Sequence, residues 1–207
     1  MEKTNNKIFT TRFMVRTAIF SAIAAILYCV PFLKFRLPFF LSFLEVHLDE
    51  IPAFIASFAY GPLCGLIVLV IKTLIKLPMS QTATVGEFLD LLYGIALVIP
   101  ASMIYKKHRT FKGAIIGLSV GVLSNLIVTF VCASTFVINL YAFLGGYKVE
   151  DILKMAQALN QSVSDIHISM AFYCFLPFNL FKDAIVVILT ILLYPRIRFF
   201  TEKKYKK

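Results

Sequence analysis

"LPFNLFKDAIVVILTILLYPRI", Leu176 to Ile197, is apolar along most of its length yet carries an amide, an ammonium and a carboxylate near one end. A transmembrane helix needs about 20 predominantly apolar residues. Extended upstream to Ile168, the run supplies them and predicts a membrane-spanning helix over Ile168 to Tyr194. Asn179, Lys182 and Asp183 are then the anomaly. An ionisable side chain at the bilayer centre costs about 3 kcal/mol on insertion scales, so such residues face a cavity or a partner. Asn179 and Lys182 are spaced to project from one helical face. Together they offer an amide and a fixed cation, which suits a planar ligand rich in carbonyls and ring nitrogens. The competing readings are an Asn–Lys–Asp cluster that satisfies itself, or a Lys182 that snorkels outward.

Outward from this stretch the chain keeps the same character. Of its 207 residues, 59% are hydrophobic and 15% charged, and the mean hydropathy is +0.84. A soluble domain of this length carries more charge. Further apolar runs are expected to span at Phe13 to Phe32, Ile51 to Tyr60, Leu63 to Leu77, Phe88 to Tyr105 and Gly113 to Leu144. Their continuity argues against a barrel, whose strands are alternating segments of about 10 residues. The expected fold is therefore an all-α integral membrane protein of six transmembrane helices, one domain over residues 1–207. "YGP" at Tyr60 to Pro62 marks a tight break between two spans. The stretch "GGYKVEDILKMAQALNQSVSD" before the last span is polar and partly helical. No cleavable signal is expected, since the first apolar run continues into the rest of the chain.

Charge sets the orientation. The net charge is +10, and the basic residues cluster beside apolar runs, a topological pattern that gives no case for nucleic acid. Lys3, Lys7, Arg12 and Arg16 precede the first span. Lys106, Lys107, Arg109 and Lys112 follow the fourth. Arg196, Arg198, Lys203, Lys204, Lys206 and Lys207 follow the sixth. Six spans with both termini cytoplasmic put all three clusters on one side, as the positive-inside rule requires. The loops after spans one, three and five then face outward.

Other polar residues carry weaker signals. Lys72 is expected to pair with Glu50 or Asp90 across the second, third and fourth spans. Lys76, Glu87 and Asp90 lie near the outer boundary, where water can solvate them. His47, His108 and His167 stand alone, and no His, Cys and carboxylate set has metal-ligand spacing. The four cysteines are scattered singly in apolar segments and read as small buried side chains. No G-x-x-x-x-G-K-[ST] motif is present, so hydrolysis through a P-loop is excluded. Ala18 and Ala22 form a small-xxx-small face on the first span, which permits close approach of another helix. Packing inside the bundle is the alternative.

Four stretches carry a family resemblance: "LDEIPAFIASFAYGPLCG" (Leu48 to Gly65), "VIKTLIK" (Val70 to Lys76), "FVINLYAFLGGY" (Phe136 to Tyr147) and the opening run with its Pro-Phe-Asn-x-x-Lys. The chain resembles the substrate-binding S components of energy-coupling factor (ECF) vitamin transporters, the riboflavin-specific members in particular. The resemblance implies a riboflavin-binding protein of the prokaryotic cell membrane that mediates uptake, with the flavin as transported ligand and no cofactor. It implies that Asn139, Asn179 and Lys182 contact the isoalloxazine. The chain departs from the pattern in "VGEFLDLL" (Val85 to Leu92), which offers Glu87 and Asp90 where some riboflavin members carry Asn, and Glu87 is expected among the ligand-binding residues. Leu44 and the neighbouring Phe39, Phe40 and Phe43 would cover the ring, unless they only anchor the loop at the interface. It gives Ala18 and Ala22 the role of docking on a transmembrane coupling subunit served by two ATPases.

Three rivals remain at this level. The ligand is another vitamin or precursor. The chain is an integral membrane enzyme using Lys72, Glu87, Asp90 and Asp183 as acids and bases. Or it is a membrane scaffold, which leaves Asn179 and Lys182 unexplained.

Overall fold

The computed structural model describes residues 10–202, with side chains to residue 196. The basic residues Lys3, Lys7, Lys203, Lys204, Lys206 and Lys207 lie outside the described residues, as does the side chain of Arg198. Helix α1 is Thr11–Cys29, α2 Glu50–Tyr60, α3 Pro62–Lys76, α4 Val85–Lys107, α5 Phe111–Thr135, α6 Val137–Gly145, α7 Val149–Leu159, α8 Ile168–Met170 and α9 Leu176–Glu202. Among the described residues the fold is helical throughout, with a single isolated antiparallel bridge between Phe35 and Val46.

The helix starts follow from local chemistry. Thr10 and Thr110 cap α1 and α5, their hydroxyls accepting the N–H of Phe13 at 3.2 Å and of Gly113 at 3.0 Å. Pro62 opens α3 at a position where its missing N–H costs nothing. The preceding Gly61 has φ +107, a conformation that admits glycine, and it turns α2 sharply into α3. Along α5, Gly117 and Gly121 let the backbones of α4 and α5 touch. A Cβ there would stand 2.6 Å from the carbonyl of Ala101 and 2.3 Å from that of Leu97.

Five helical segments are long and apolar enough to cross a membrane: Thr11–Cys29, Pro62–Met79, Val85–Lys107, Phe111–Thr135 and Ile168–Arg196. The short second span is found as helix α2 within one residue of its expected bounds, but its 11 residues rise about 16 Å, half a bilayer, so it is not long enough to cross alone. It is buried along almost its whole length, from Glu50 to Ala59, because it runs through the middle of the bundle. The expected fifth span breaks at Phe136 into α5 and α6. With 25 residues, α5 rises about 37 Å and has already exceeded the hydrocarbon. The hydroxyls of Ser134 and Thr135 bond back to the Val131 carbonyl at its end, a habit that bends helices.

Two apolar clusters divide the bundle. One, around Phe54, Phe58, Leu97 and Tyr105, packs α2 against α1, α3, α4 and α9, with α5 closing it from the far side of α4 and α9. At that end Phe58 stacks on Tyr105, Phe111 meets Tyr194, and Arg16 lies over Tyr60. The other cluster, around Leu41, Leu89, Ile138, Ile152 and Phe175, joins the loop after α1 to α4, α6 and α7. The second cluster lines one side of a cavity.

Candidate functional site

The loop from Lys34 to Leu48 forms one wall of the cavity. Phe35 and Val46 exchange backbone hydrogen bonds of 3.0 and 2.9 Å. Across the same pair Glu45 accepts from Lys34 at 2.5 Å and from Arg36 at 2.6 Å. Burial alone would raise the Glu45 carboxyl. The hydrogen bonds from Lys34 and Arg36 outweigh it and hold the group below the usual carboxylate range. The connector before α4 forms the opposite rim. There Ser80 Oγ accepts the N–H of Thr84 at 2.8 Å and donates to Glu87 at 2.7 Å, and Thr82 Oγ1 donates to Glu87 at 3.2 Å. Glu87 thus braces the rim while lining the cavity.

The third wall is the start of the last crossing. Leu176 N–H donates to the Ala171 carbonyl, five residues back, so Ala171–Phe175 is a π-turn. Pro177 follows after Leu176. A proline ring clashes with the carbonyl four positions earlier and widens or kinks the helix there. The extra residue in the turn aims Asn179 and Lys182 at the cavity, which both line. Single-turn π-bulges are frequent at functional sites. Asn179 Nδ2 donates to the Phe175 carbonyl at 3.0 Å, which fixes the plane of its amide.

The cavity encloses about 300 Å³, the lower end of the range for small-molecule pockets. One side is aromatic and aliphatic, with Phe43, Leu44, Tyr93, Tyr141 and Phe178. The floor is ionic. Lys182 lies 2.6 Å from Glu50 and 2.8 Å from Asp90, and Lys72 contacts Asp49 and, at 2.8 Å, Asp90. His47 is wedged between Asp49 and Asp90, with Nε2 3.3 Å from the latter, and its ring tilts against Tyr28. All of these are buried. In hydrocarbon such charges persist only when paired, and here each lysine faces two carboxylates.

The structure brings together Leu44, Glu87, Asn179 and Lys182, all on the cavity wall. Asn139 is not among them: it is exposed on α6 and does not line the cavity. Of the two partners expected for Lys72, Asp90 is found and the Glu50–Lys72 pair is corrected: Lys72 takes Asp49 and Asp90, and Glu50 takes Lys182. The physical reason is that α9 lies beside α2 and delivers Lys182 to Glu50, which leaves Lys72 to the carboxylates of the neighbouring elements. Asp183 turns away from the cavity and accepts from Asn125 of α5 at 2.8 Å. Ala18 and Ala22 are exposed on the outer face of α1, whereas Thr17, Ser21, Ala24 and Ala25 are buried.

Several residues escaped the sequence reading. Lys76, Glu87 and Asp90 are buried rather than solvated, His47 is not isolated, and Asp49 anchors Lys72. "HLDE" at His47 to Glu50, three ionisable groups opening an apolar helix, was the available signal. Folding also gathers His47, Asp49, Glu50 and Asp90 so that ligand-type atoms lie within 4.8 Å of one another, a set that linear spacing conceals. Lys72 and Lys182 already occupy the carboxylates of that set. A cation would have to displace two ammonium groups, so the donors do not fit a metal centre.

Apolar crossings around a half-enclosed cavity with an ion-paired floor define the class: a multi-pass helical membrane protein with a small-molecule site at one end of its bundle. The sequence profile of the ECF transporter, substrate-specific component, matches residues 12–194, and the chain belongs to that family. Members are the substrate-binding part of a transporter, not enzymes. The chain is 30% identical over 183 residues to the riboflavin transporter RibU of Staphylococcus aureus (strain TCH60), covering 88% of this chain and 90% of that protein. It is 22% identical over 194 residues to the riboflavin transporter FmnP of Bacillus subtilis (strain 168), covering 91% and 95%. A solved structure of the S component of a bacterial ECF transporter superposes with a TM-score of 0.66 at 28% identity, covering 91% of this chain and 96% of the other.

Proposed function

We propose that the chain is a riboflavin-binding S component that delivers the vitamin through a transmembrane coupling subunit driven by two ATPases. One observation carries this reading: Asn179 and Lys182 meet at the floor of a cavity whose side wall is aromatic. An amide and a cation held there can read the polar edge of a planar ring while Phe43, Leu44 and Tyr141 cover its faces. A ligand lacking that edge would leave buried donors unpaired and be rejected strongly. The relatives described as riboflavin transporters support the same ligand.

The membrane arrangement proposed is six crossings with both termini cytoplasmic. Helix α2 supplies the inner half of the second crossing, and the loop from Lys34 to Leu48 fills the outer half above the ionic floor. The test of the topology is a single cysteine at position 107 in a cysteine-free background. It should resist an impermeant thiol reagent in sealed cells, and labelling there would overturn the arrangement.

The test of transport is uptake of labelled riboflavin by cells producing this chain with a coupling subunit and its ATPases. Uptake should be lost when the chain is omitted and be competed by unlabelled riboflavin. Uptake that is indifferent to the chain would refute the proposal. The exposure of Asn139 favours a second reading, an S component for a different planar vitamin. Competition by that vitamin and not by riboflavin would select it.

A further inference from the structure

Asp183 does not line the cavity, and neither does its partner Asn125. Both lie within crossings, on α9 and α5, and both are buried, at 1% and 2% exposure. Asn125 Nδ2 donates to Asp183 Oδ2 at 2.8 Å, and Thr129 Oγ1 donates to Asn125 Oδ1 at 3.4 Å, which turns the amide nitrogen toward α9. A carboxyl at this depth is costly to bury, and a leucine would pack there without that cost. Register is the best-attested use of such a pair: it selects one arrangement among several that apolar packing leaves nearly equal. Helix α9 has that ambiguity. It turns Leu180, Ile188 and Leu192 outward, and lipid tails are as apolar as those side chains, so burial alone fixes its rotation weakly. The π-turn and Pro177 also interrupt the regular backbone bonding where it begins.

Two polar anchors remove the ambiguity. Lys182 is held by Glu50 of α2 and Asp90 of α4, and Asp183 is held by Asn125 of α5. The two residues are consecutive and leave the helix about 100° apart, so α9 is tied on two sides and resists turning about its axis. Helix α5 is a firm reference, because Gly117 and Gly121 seat it backbone to backbone on α4. We infer that Asn125 and Asp183 are positioning residues: their hydrogen bond sets the rotation of α9 that presents Asn179 and Lys182 to the cavity, and ligand affinity depends on a pair that does not line it. Riboflavin is the probe, so the inference rests on the flavin reading.

The test is fluorescence-quenching titration of the purified full chain with riboflavin, with thermal melts to establish folding. Asn125→Leu and Asp183→Leu should each weaken binding about tenfold or more in protein that still melts cooperatively. Asn125→Ala, a smaller change, stands in for them if they do not fold. Asp183→Asn removes the charge but keeps an acceptor for the Asn125 amide, so it should recover affinity to within about threefold of wild type. An electrostatic action of Asp183 on Lys182 would instead weaken that variant as much as the leucine does. The exchanged pair, Asn125→Asp with Asp183→Asn, rebuilds the bond in reverse and should recover likewise. In a Lys182→Ala background the cost of Asp183→Leu should shrink, since a group that it aims is gone; a merely structural role would leave that cost unchanged. Wild-type affinity in the folded Asn125 variants, no recovery in Asp183→Asn or in the exchanged pair, or a fully additive cost in Lys182→Ala overturns the inference and leaves the flavin reading intact. Failure of the wild type to bind riboflavin refutes the flavin reading itself, and the inference with it.

Discussion

Lys182 has two tasks, and they can be separated. It neutralises Glu50 and Asp90 at the cavity floor, and its ammonium lies where a ligand edge would arrive. Removing one partner of a buried hydrogen bond costs about 1–3 kcal/mol, more where a charge is involved. Lys182→Ala and Asn179→Ala are each expected to raise the flavin dissociation constant about ten- to hundredfold. Asn139→Ala, outside the cavity, should change it less than about threefold. Fluorescence quenching on variants with intact melts measures all three, and wild-type affinity in both Asn179→Ala and Lys182→Ala would remove the floor from the site. The pairing of Asn179 with Lys182 was legible because both lie on one helix, where spacing alone fixes a shared face. The two carboxylates that hold Lys72, and the Asp90 beside His47, come from other elements, and nothing in linear order says which carboxylate reaches which cation.

At the scale of elements, the π-turn and the loop after α1 position the site. Pro177→Ala restores an N–H opposite the Tyr173 carbonyl and removes the ring clash, so the turn can relax to an ordinary helix. The residues before and after it would then rotate relative to each other by about 100°. Ligand affinity is expected to fall at least tenfold while the melting temperature holds or rises. Unchanged affinity would show that the turn does not aim the site.

The loop depends on Glu45. Its folded carboxyl lies below its unfolded value, so the stability it contributes is present above the ordinary carboxylate pKa, about 4.3, and is lost as pH falls through the folded value. The group is partly exposed, so the effect is below about 1 kcal/mol. Amide protection across residues 34–46, relative to the intrinsic rate at each pH, should fall in that acid range, and Glu45→Gln should show the lower protection already at pH 7. Equal protection of the variant and wild type at pH 7 would contradict this. Helix α2 was legible almost to the residue, since Gly61 and Pro62 end it. The break at Phe136 was not, because hydropathy does not register a bend made by Ser134 and Thr135 within an otherwise apolar run.

For the whole molecule, the outer face of α1 and the cavity are separate surfaces. Ala18 and Ala22 are exposed there beside Val15, Ile19 and Ile23, so a bulky ring at either position would obstruct a docking helix without entering the cavity. Ala18→Trp and Ala22→Trp are expected to abolish uptake while flavin affinity stays within about threefold of wild type. Loss of binding in a folded variant would make the face internal packing instead. The membrane character and the overall helical fold were legible from hydropathy, since lipid leaves the backbone few alternatives. The ionic floor was not, because it exists only once α2, α3, α4 and α9 are packed together.

The most direct measurement is the absorption spectrum of the protein purified in detergent from cells supplied with riboflavin. The preparation should be yellow, show bound flavin, and release one equivalent of riboflavin per chain on denaturation, while Lys182→Ala should be colourless or nearly so. A folded wild-type protein that is colourless, and that fails to quench the fluorescence of added riboflavin, would contradict the assignment of the cavity to a flavin.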